Sequence, residues 1–332
     1  MVYIELKTHD AAFNKAAEEY VTRVFSLKSE RPVFMFWQTD KCVIFGRNQV
    51  AAAEIDLPAA SALGVNIVRR SSGGGAMFSD LGNIMYTLVT PFGKSDDPKK
   101  IERELFAGPM ARALNKMGVP AVVEGRNDIT ADGAKFSGIA QYAVKNRLCT
   151  HGTMLYDSDL NMLAKVLKPD PEKISSKGLK SVRSRVINLK KYFEPVISVA
   201  EFLERLKFNL FDGIKTEKYE FNEQDIAQIN IIRSEKYANP DWTLGQTPKF
   251  TVNYAKKFPA GKFEVFLNVE RGTIKSCRIF GDFLGIFPAE EIEKKLEGQP
   301  HDYAQISDML ETVDLRLYFG DIKRGELLEC LF

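Results

Sequence analysis

Read from its N-terminus, the chain alternates over Tyr3-Ile4-Glu5-Leu6 and then repeats apolar side chains at three- and four-residue steps through Phe13, Ala17, Tyr20, Val21, Val24 and Phe25. The first spacing predicts a strand, the second an amphipathic helix. Two β-rich runs follow, Val33 to Trp37 and Cys42 to Phe45, and Thr39-Asp40-Lys41 between them reads as a hairpin turn. A helix through Glu54 and Ala62 ends at Gly64, Val65 to Val68 and Ile84 to Val89 are strands, and Lys99 to Met117 is a helix stopped by Gly118. Val119 to Tyr142 holds several strands broken by glycine turns. From His151 to Asn188 the pattern is a strand, a short helix around Leu160 to Leu167, and a basic stretch from Lys177 to Arg185 without clean periodicity. Helices are expected over Val199 to Leu210 and Glu223 to Tyr237.

Asn239-Pro240-Asp241-Trp242 and Gly245-Gln246-Thr247-Pro248 then interrupt the pattern. The break places a larger domain at residues 1–246 and a small accessory domain at 247–332. In the accessory domain Phe263 to Val269 and Ile274 to Phe280 form a hairpin across Glu270-Arg271-Gly272-Thr273, followed by two helices. Helices and strands mix in both parts, so the expected class is α+β.

Composition narrows the function classes. With 332 residues, 45% of them hydrophobic, the chain can bury a sizeable core. Its 46 basic residues nearly cancel 44 acidic ones, leaving +2, so no global field draws it to nucleic acid and any anion site is local. Cys42, Cys149, Cys277 and Cys330 form no CxxC pair, and charges interrupt every apolar run well short of a membrane span. The expectation is a cytoplasmic protein with reduced thiols that engages neither nucleic acid nor membrane.

Arg69-Arg70-Ser71-Ser72-Gly73-Gly74-Gly75-Ala76 sets two cations beside three consecutive glycines. Backbone amides there can approach an anion closely, and a phosphate or carboxylate is the natural guest, although a plain flexible turn has the same composition. Neither GxxxxGK[ST] nor GxGxxG fits, because Phe78 stands where the last glycine of the second template belongs. Lys135, in the glycine-flanked run Lys135-Phe136-Ser137-Gly138, suits charge stabilisation at a carbonyl or α-phosphate, but alone it equally describes a solvated surface lysine. His151 is one of three histidines far apart in sequence, without metal-ligand spacing. On its own it reads as a hydrogen-bonded structural residue or a base. Lys177, Lys180, Arg183 and Arg185 suit either an anion site or a solvated loop, and Cys149 reads as an inert thiol.

Taken together, Arg69 to Ala76, Asp80-Leu81-Gly82-Asn83, Gly125-Arg126-Asn127-Asp128, Lys135 to Gly138, His151-Gly152-Thr153, Lys177-Gly178 and Ser181 to Val186 resemble the lipoate-protein ligase A family in order and spacing over nearly the whole chain. The resemblance implies the mixed-sheet catalytic domain shared by biotin ligases and lipoyl or octanoyl transferases, plus a small α+β C-terminal domain. It implies that Arg70, Gly75, Ala76, Met77 and Phe78 contact ATP, that Lys135 reaches both acyl carbonyl and phosphate, and that Arg70 and His151 join Lys135 at the lipoate. Lys177, Gly178, Ser181, Arg183 and Arg185 would fold over the adenylate. No protein metal site is implied, since Mg2+ travels with ATP. The implied partners are lipoyl domains of 2-oxoacid dehydrogenase complexes and the glycine cleavage H protein, whose lysine takes the lipoyl group from lipoyl-AMP. Many members carry histidine where this chain has Ser79.

An apolar tunnel for the acyl chain draws on strand residues such as Phe34, Phe36 and Ile44, which ordinary core packing explains equally well. A cysteine-dependent octanoyl or lipoyl transferase on the same fold is disfavoured, because Val119 to Gly125 holds no cysteine before the Asn127-Asp128-Ile129 segment. Biotin ligases show a different glycine-arginine motif. A non-catalytic lipoate-binding protein stands as the alternative of another class.

Overall fold

The computed structural model describes residues 1–25, 31–168, 186–244 and 252–332. In chain order the strands are β1 (Val2–Glu5), β2 (Val33–Trp37), β3 (Cys42–Phe45), β4 (Asn66–Arg69), β5 (Met77–Ser79), β6 (Asn83–Pro91), β7 (Ala121–Glu124), β8 (Asp128–Ala131), β9 (Ala134–Val144), β10 (Arg147–Leu155), β11 (Glu217–Lys218), β12 (Val252–Phe258), β13 (Gly261–Glu270) and β14 (Thr273–Gly281). They form an eight-stranded mixed sheet in the order β11-β1-β2-β6-β10-β9-β8-β7 and two three-stranded sheets, β4-β3-β5 and β12-β13-β14.

The large sheet is covered on both faces, so its strand β2 reads as an unbroken apolar run rather than an alternating one. In β2, Phe34 and Phe36 enter one core with Tyr86, Phe106 and Leu206, while Val33, Met35 and Trp37 enter the other with Tyr20 and Val21. Helix α1 (Ala11–Arg23) supplies the second core and starts where the Asp10 carboxylate accepts from the amides of Ala12 and Phe13. Phe106 and Tyr86 stack with ring centroids 4.6 Å apart at the centre of the first core.

Several expectations change in three dimensions. Thr39 to Lys41 is no hairpin, because β2 pairs with β1 and β6 whereas β3 crosses to the small sheet and pairs with β4 and β5. The helix expected around residues 54–62 is two short ones, Ala51–Glu54 and Leu57–Ala62, separated where Asp56 caps the second and Pro58 lies in its first turn. The segment from Pro98 to Lys116 is helical throughout but widens to a π-helix over Glu102–Ala107. Pro240 begins a single helical turn, Pro240–Thr243, capped by Asn239, so the break expected there is a helix start.

The expected domain junction at 246/247 lies within residues 245–251, outside the described residues. Beyond it β12 adds a third strand to the expected hairpin. Four short helices follow in place of two, Glu290–Leu296, Tyr303–Glu311, Arg316–Phe319 and Arg324–Leu328. These elements share a separate apolar core around Phe263, Phe283, Ile292 and Phe319. The C-terminal part nevertheless grips the rest of the molecule through its backbone. Gly74 N donates to Phe283 O (3.0 Å), Gly281 N to Asn48 O (2.7 Å) and Ala143 N to Ile286 O (3.0 Å).

Phe106→Ala would leave a void beneath the Tyr86 ring, and the expected cost is about 3–5 kcal/mol, read as a lower urea midpoint with unchanged far-ultraviolet circular dichroism.

Candidate active site

A cleft of about 260 Å³ lies where residues 70–78 face β6, β9 and β10. Every described site residue expected from sequence lines it: Arg70, Gly75, Ala76, Met77, Phe78, Lys135 and His151. Lys177, Gly178, Ser181, Arg183 and Arg185 lie outside the described residues. The chain resumes at Val186, which lines the cleft and bridges to Lys135, while Ile187 N donates to Lys135 O at 2.9 Å. A larger hollow of about 450 Å³, between residues 94–102 and C-terminal residues such as Asp314, Arg316 and Asp321, shares Asn127, Ile139, Ala140 and Leu284 with the cleft. The two adjoin across this shared wall and together form a groove-like surface.

The adjacent arginines of the glycine loop have different tasks. Arg69 stacks over the Phe45 ring at 4.4 Å and donates to the carbonyls of Arg47, Gln49 and Trp242, bracing the loop from behind. Arg70 is buried against the cleft. Its Nε donates to Ser72 Oγ and Gly73 O, its Nη2 to Gly73 O and Gly75 O, and its Nη1 to Ile44 O. These bonds curl the loop around the guanidinium, with Gly74 in the left-handed region at φ 89°. Burial lowers the Arg70 pKa to about 10, which leaves it cationic at neutral pH.

His151, on β10, continues the network. Its Nε2 lies 2.7 Å from Ser72 Oγ and its Nδ1 2.9 Å from Glu18 Oε1. Because the ionised Glu18 carboxylate can only accept, Nδ1 carries the hydrogen donated to it, and Nε2 of the neutral ring is left to accept from Ser72 Oγ. Burial holds the His151 pKa down at about 4 against the pull of Glu18, so the imidazole is neutral. Burial alone would raise Glu18, but Lys15 at 3.1 Å and hydrogen bonds from His151 and Thr87 keep its carboxyl far below the usual range. Glu18, Cys149 and His151 converge as a metal site might. Lys15 Nζ, however, stands 3.1 Å from Glu18 and 3.3 Å from His151 Nδ1, so a cation already occupies that position. The Cys149 thiol is buried and its pKa raised by burial, as suits an inert group.

Lys135 owes its position to an irregularity in the β8–β9 pairing at Ile129/Thr130. Its ammonium meets Asp128 Oδ1 at 2.6 Å, with both side chains about one-third exposed to solvent. Gly138 leaves room for it, since a Cβ there would sit 2.9 Å from Lys135 Nζ. Gly152 likewise admits the Tyr86 ring, whose hydroxyl meets Ser137 Oγ at 2.7 Å. The Asp80 to Asn83 block is a turn in which Asp80 accepts from Gly82 and Asp159, and Asn83 from Met154. Ser79 is buried in β5, taking hydrogen bonds from Thr39 Oγ1 (3.1 Å) and Asn83 Nδ2 (3.4 Å).

Of the tunnel candidates only Ile44 lines the cleft. Phe34 and Phe36 point to the opposite face, where both rings pack near Phe211. Sequence reading missed Lys15 and Glu18, which sit one turn apart on α1 and are fully buried, where the helical pattern implied a solvated face. It also missed Leu284, which reaches the cleft from the C-terminal part.

The groove thus sets a cationic glycine loop at one side and a strand lysine at the other, on a mixed sheet with a separate C-terminal core. Residues 10–211 fit the model of the lipoyl protein ligase A/B catalytic domain, and residues 247–331 that of the bacterial lipoate protein ligase C-terminus. The chain belongs to the lipoate-protein ligase family and is an enzyme of that class. It is 37% identical to the lipoate-protein ligase LplJ of Bacillus subtilis, covering 100% of both chains. It superposes on P. falciparum LipL1 in complex with lipoate at a TM-score of 0.75 with 25% identity, covering 95% of this chain and 94% of that one. A bi-partite lipoate protein ligase from Thermoplasma acidophilum, described with its E2 lipoyl domain, gives 0.64 with 26% identity, covering 76% of this chain and 98% of that one.

Because His151 titrates near 4 when folded and near 6.5 when unfolded, protonating the unfolded chain withdraws stability as pH falls through that window. Wild type should therefore gain on His151→Gln by about 3 kcal/mol between pH 4 and pH 6.5, measured by urea unfolding of both proteins across that range.

Proposed function

We propose that this chain activates lipoate with ATP to give lipoyl-AMP and pyrophosphate, and then transfers the lipoyl group to a lysine of a carrier protein. The observation that carries this reading is the convergence of Lys135, the Arg70 glycine loop and His151 on one groove with apolar walls. A carboxylate is a poor electrophile, so joining it to the α-phosphate of ATP turns it into an anhydride that an amine can attack. ATP enters as its Mg2+ complex, which offsets phosphate charge.

In this reading the loop residues Gly75 and Ala76 and the start of β5, Met77 and Phe78, receive the nucleotide, and Arg70 supplies a desolvated positive field behind them. Lys135 exchanges Asp128 for the carboxylate and α-phosphate oxygens and stabilises the negative charge that grows on them in both half-reactions. The carrier ε-amine attacks the acyl carbonyl and AMP leaves. Ile44, Met77 and Met85 provide apolar wall for the acyl chain. Lys177, Gly178, Ser181, Arg183 and Arg185 are assigned to the adenylate by the motif they complete, and the chain's return at Val186 beside Lys135 supports that assignment. Residues 1–246 would form the catalytic domain and 247–332 the accessory one.

Lipoyl domains of 2-oxoacid dehydrogenase complexes and the glycine cleavage H protein are the proposed acceptors, and the cytoplasm the proposed compartment. Among the described residues no helix is long and apolar enough to cross a membrane. An ATP-independent thioester route is disfavoured because no cysteine is among the described residues lining the cleft.

The purified protein should release pyrophosphate from ATP only when lipoate is present, and should add a lipoyl mass to a lipoyl domain or H protein. Lys135→Ala should lower that release by about 10²–10³-fold or more with unchanged circular dichroism. An active folded variant would remove Lys135 from the chemistry.

A further inference from the structure

Lys15 is a buried lysine in the cleft wall, where the polar network of His151 and Glu18 adjoins apolar lining. Its side chain is 1% exposed, yet it lines the cleft near Ile44, Met77 and Met85. The ammonium lies 3.1 Å from Glu18 Oε1, 3.3 Å from His151 Nδ1 and 5.0 Å from the Trp37 ring centroid. Burying such an ion pair gains little stability over apolar residues of the same volume. Packing alone therefore gives no reason for a lysine here.

Its place along the groove is set by strand register. His151 pairs with Ala140, five residues along β9 from Lys135. The Lys135 ammonium, however, reaches forward along β9 to Gly138, two residues from Ala140, so at about 3.3 Å per residue the His151 rung lies roughly 7 Å along the strand from it. With its carboxyl at Lys135, an acyl substrate that runs along β9 in the direction of Ala140 would bring its tail to Lys15. A saturated alkyl terminus offers an ammonium nothing and keeps it from any other partner. A cyclic disulfide presents polarisable sulfur with lone pairs that accept a hydrogen bond, weakly but without losing apolar contact.

We propose that Lys15 is a specificity-determining residue, selecting acyl acids whose far end bears a lone-pair group, such as the dithiolane of lipoate, over straight-chain acids such as octanoate. The inference rests on the acyl-activating reading above and sharpens it. Glu18 and His151 hold the ammonium in place, so they position Lys15 and need not touch the substrate.

The test compares kcat/KM for lipoate and for octanoate, by pyrophosphate release, in wild type, Lys15→Met and Lys15→Met/Glu18→Gln. The double variant avoids leaving the Glu18 carboxylate buried without its cation. Wild type should favour lipoate by about tenfold or more, and both variants should bring the ratio towards one by improving octanoate use. A ratio that the variants leave unchanged, with both constants falling together, makes Lys15 a structural group and overturns the proposal. If neither variant folds, calorimetric titration of wild type decides, and octanoate binding as tightly as lipoate overturns it. Wild type inactive with either acid overturns the underlying ligase reading as well, whereas a lipoate-active wild type with an unmoved ratio defeats this inference alone.

Discussion

The site depends on one buried cation. The Arg70 guanidinium lies away from solvent, and a cation there persists only where its donors are satisfied. Five hydrogen bonds to Ser72, Gly73, Gly75 and Ile44 meet that demand, and in doing so they impose the loop's shape. Residues with side chains fit that curl poorly. At Gly74 the backbone is left-handed, and a Cβ would meet Arg70 Nη2 at 2.9 Å. The glycines, which from composition read as either anion cradle or loose turn, are thus held rigidly by the arginine beside them.

From Arg70 the constraint passes through Ser72 to His151, Glu18 and Lys15, a chain in which every proton has a defined owner. Such a network stiffens a cleft because displacing any member strands a buried polar partner. It also joins three parts of the molecule, the glycine loop, β10 and α1. The same loop is tied on its outer side by Ser71, whose hydroxyl meets Tyr237 at 2.7 Å and Glu19 at 3.2 Å.

The C-terminal part completes the enclosure. Phe283 O receives the Gly74 amide, Ile286 O that of Ala143, and Leu284 between them enters the cleft wall. Gly73 has no side chain because one would strike Phe283 O at 2.3 Å. The groove is therefore composite, with one wall from a segment more than two hundred residues distant from the loop it touches.

By itself the sequence determined most of the strands and longer helices and the α+β class, while the motif blocks that the cleft draws together stand out only by their order and spacing. Those features follow from local periodicity, turn chemistry and motif spacing, which depend on near neighbours in the chain. Only tertiary structure decided that β2 and β3 belong to different sheets, that Phe34 and Phe36 face away from Ile44's cleft, and that Leu284 reaches it. It also turned Lys15 and Glu18 inward. On an isolated helix a lysine and a glutamate one turn apart signal water; only packing against β10 exposes them to His151 instead. Register, sheet order and which side of a helix is covered are set by contacts between segments distant in sequence, and no local pattern encodes those.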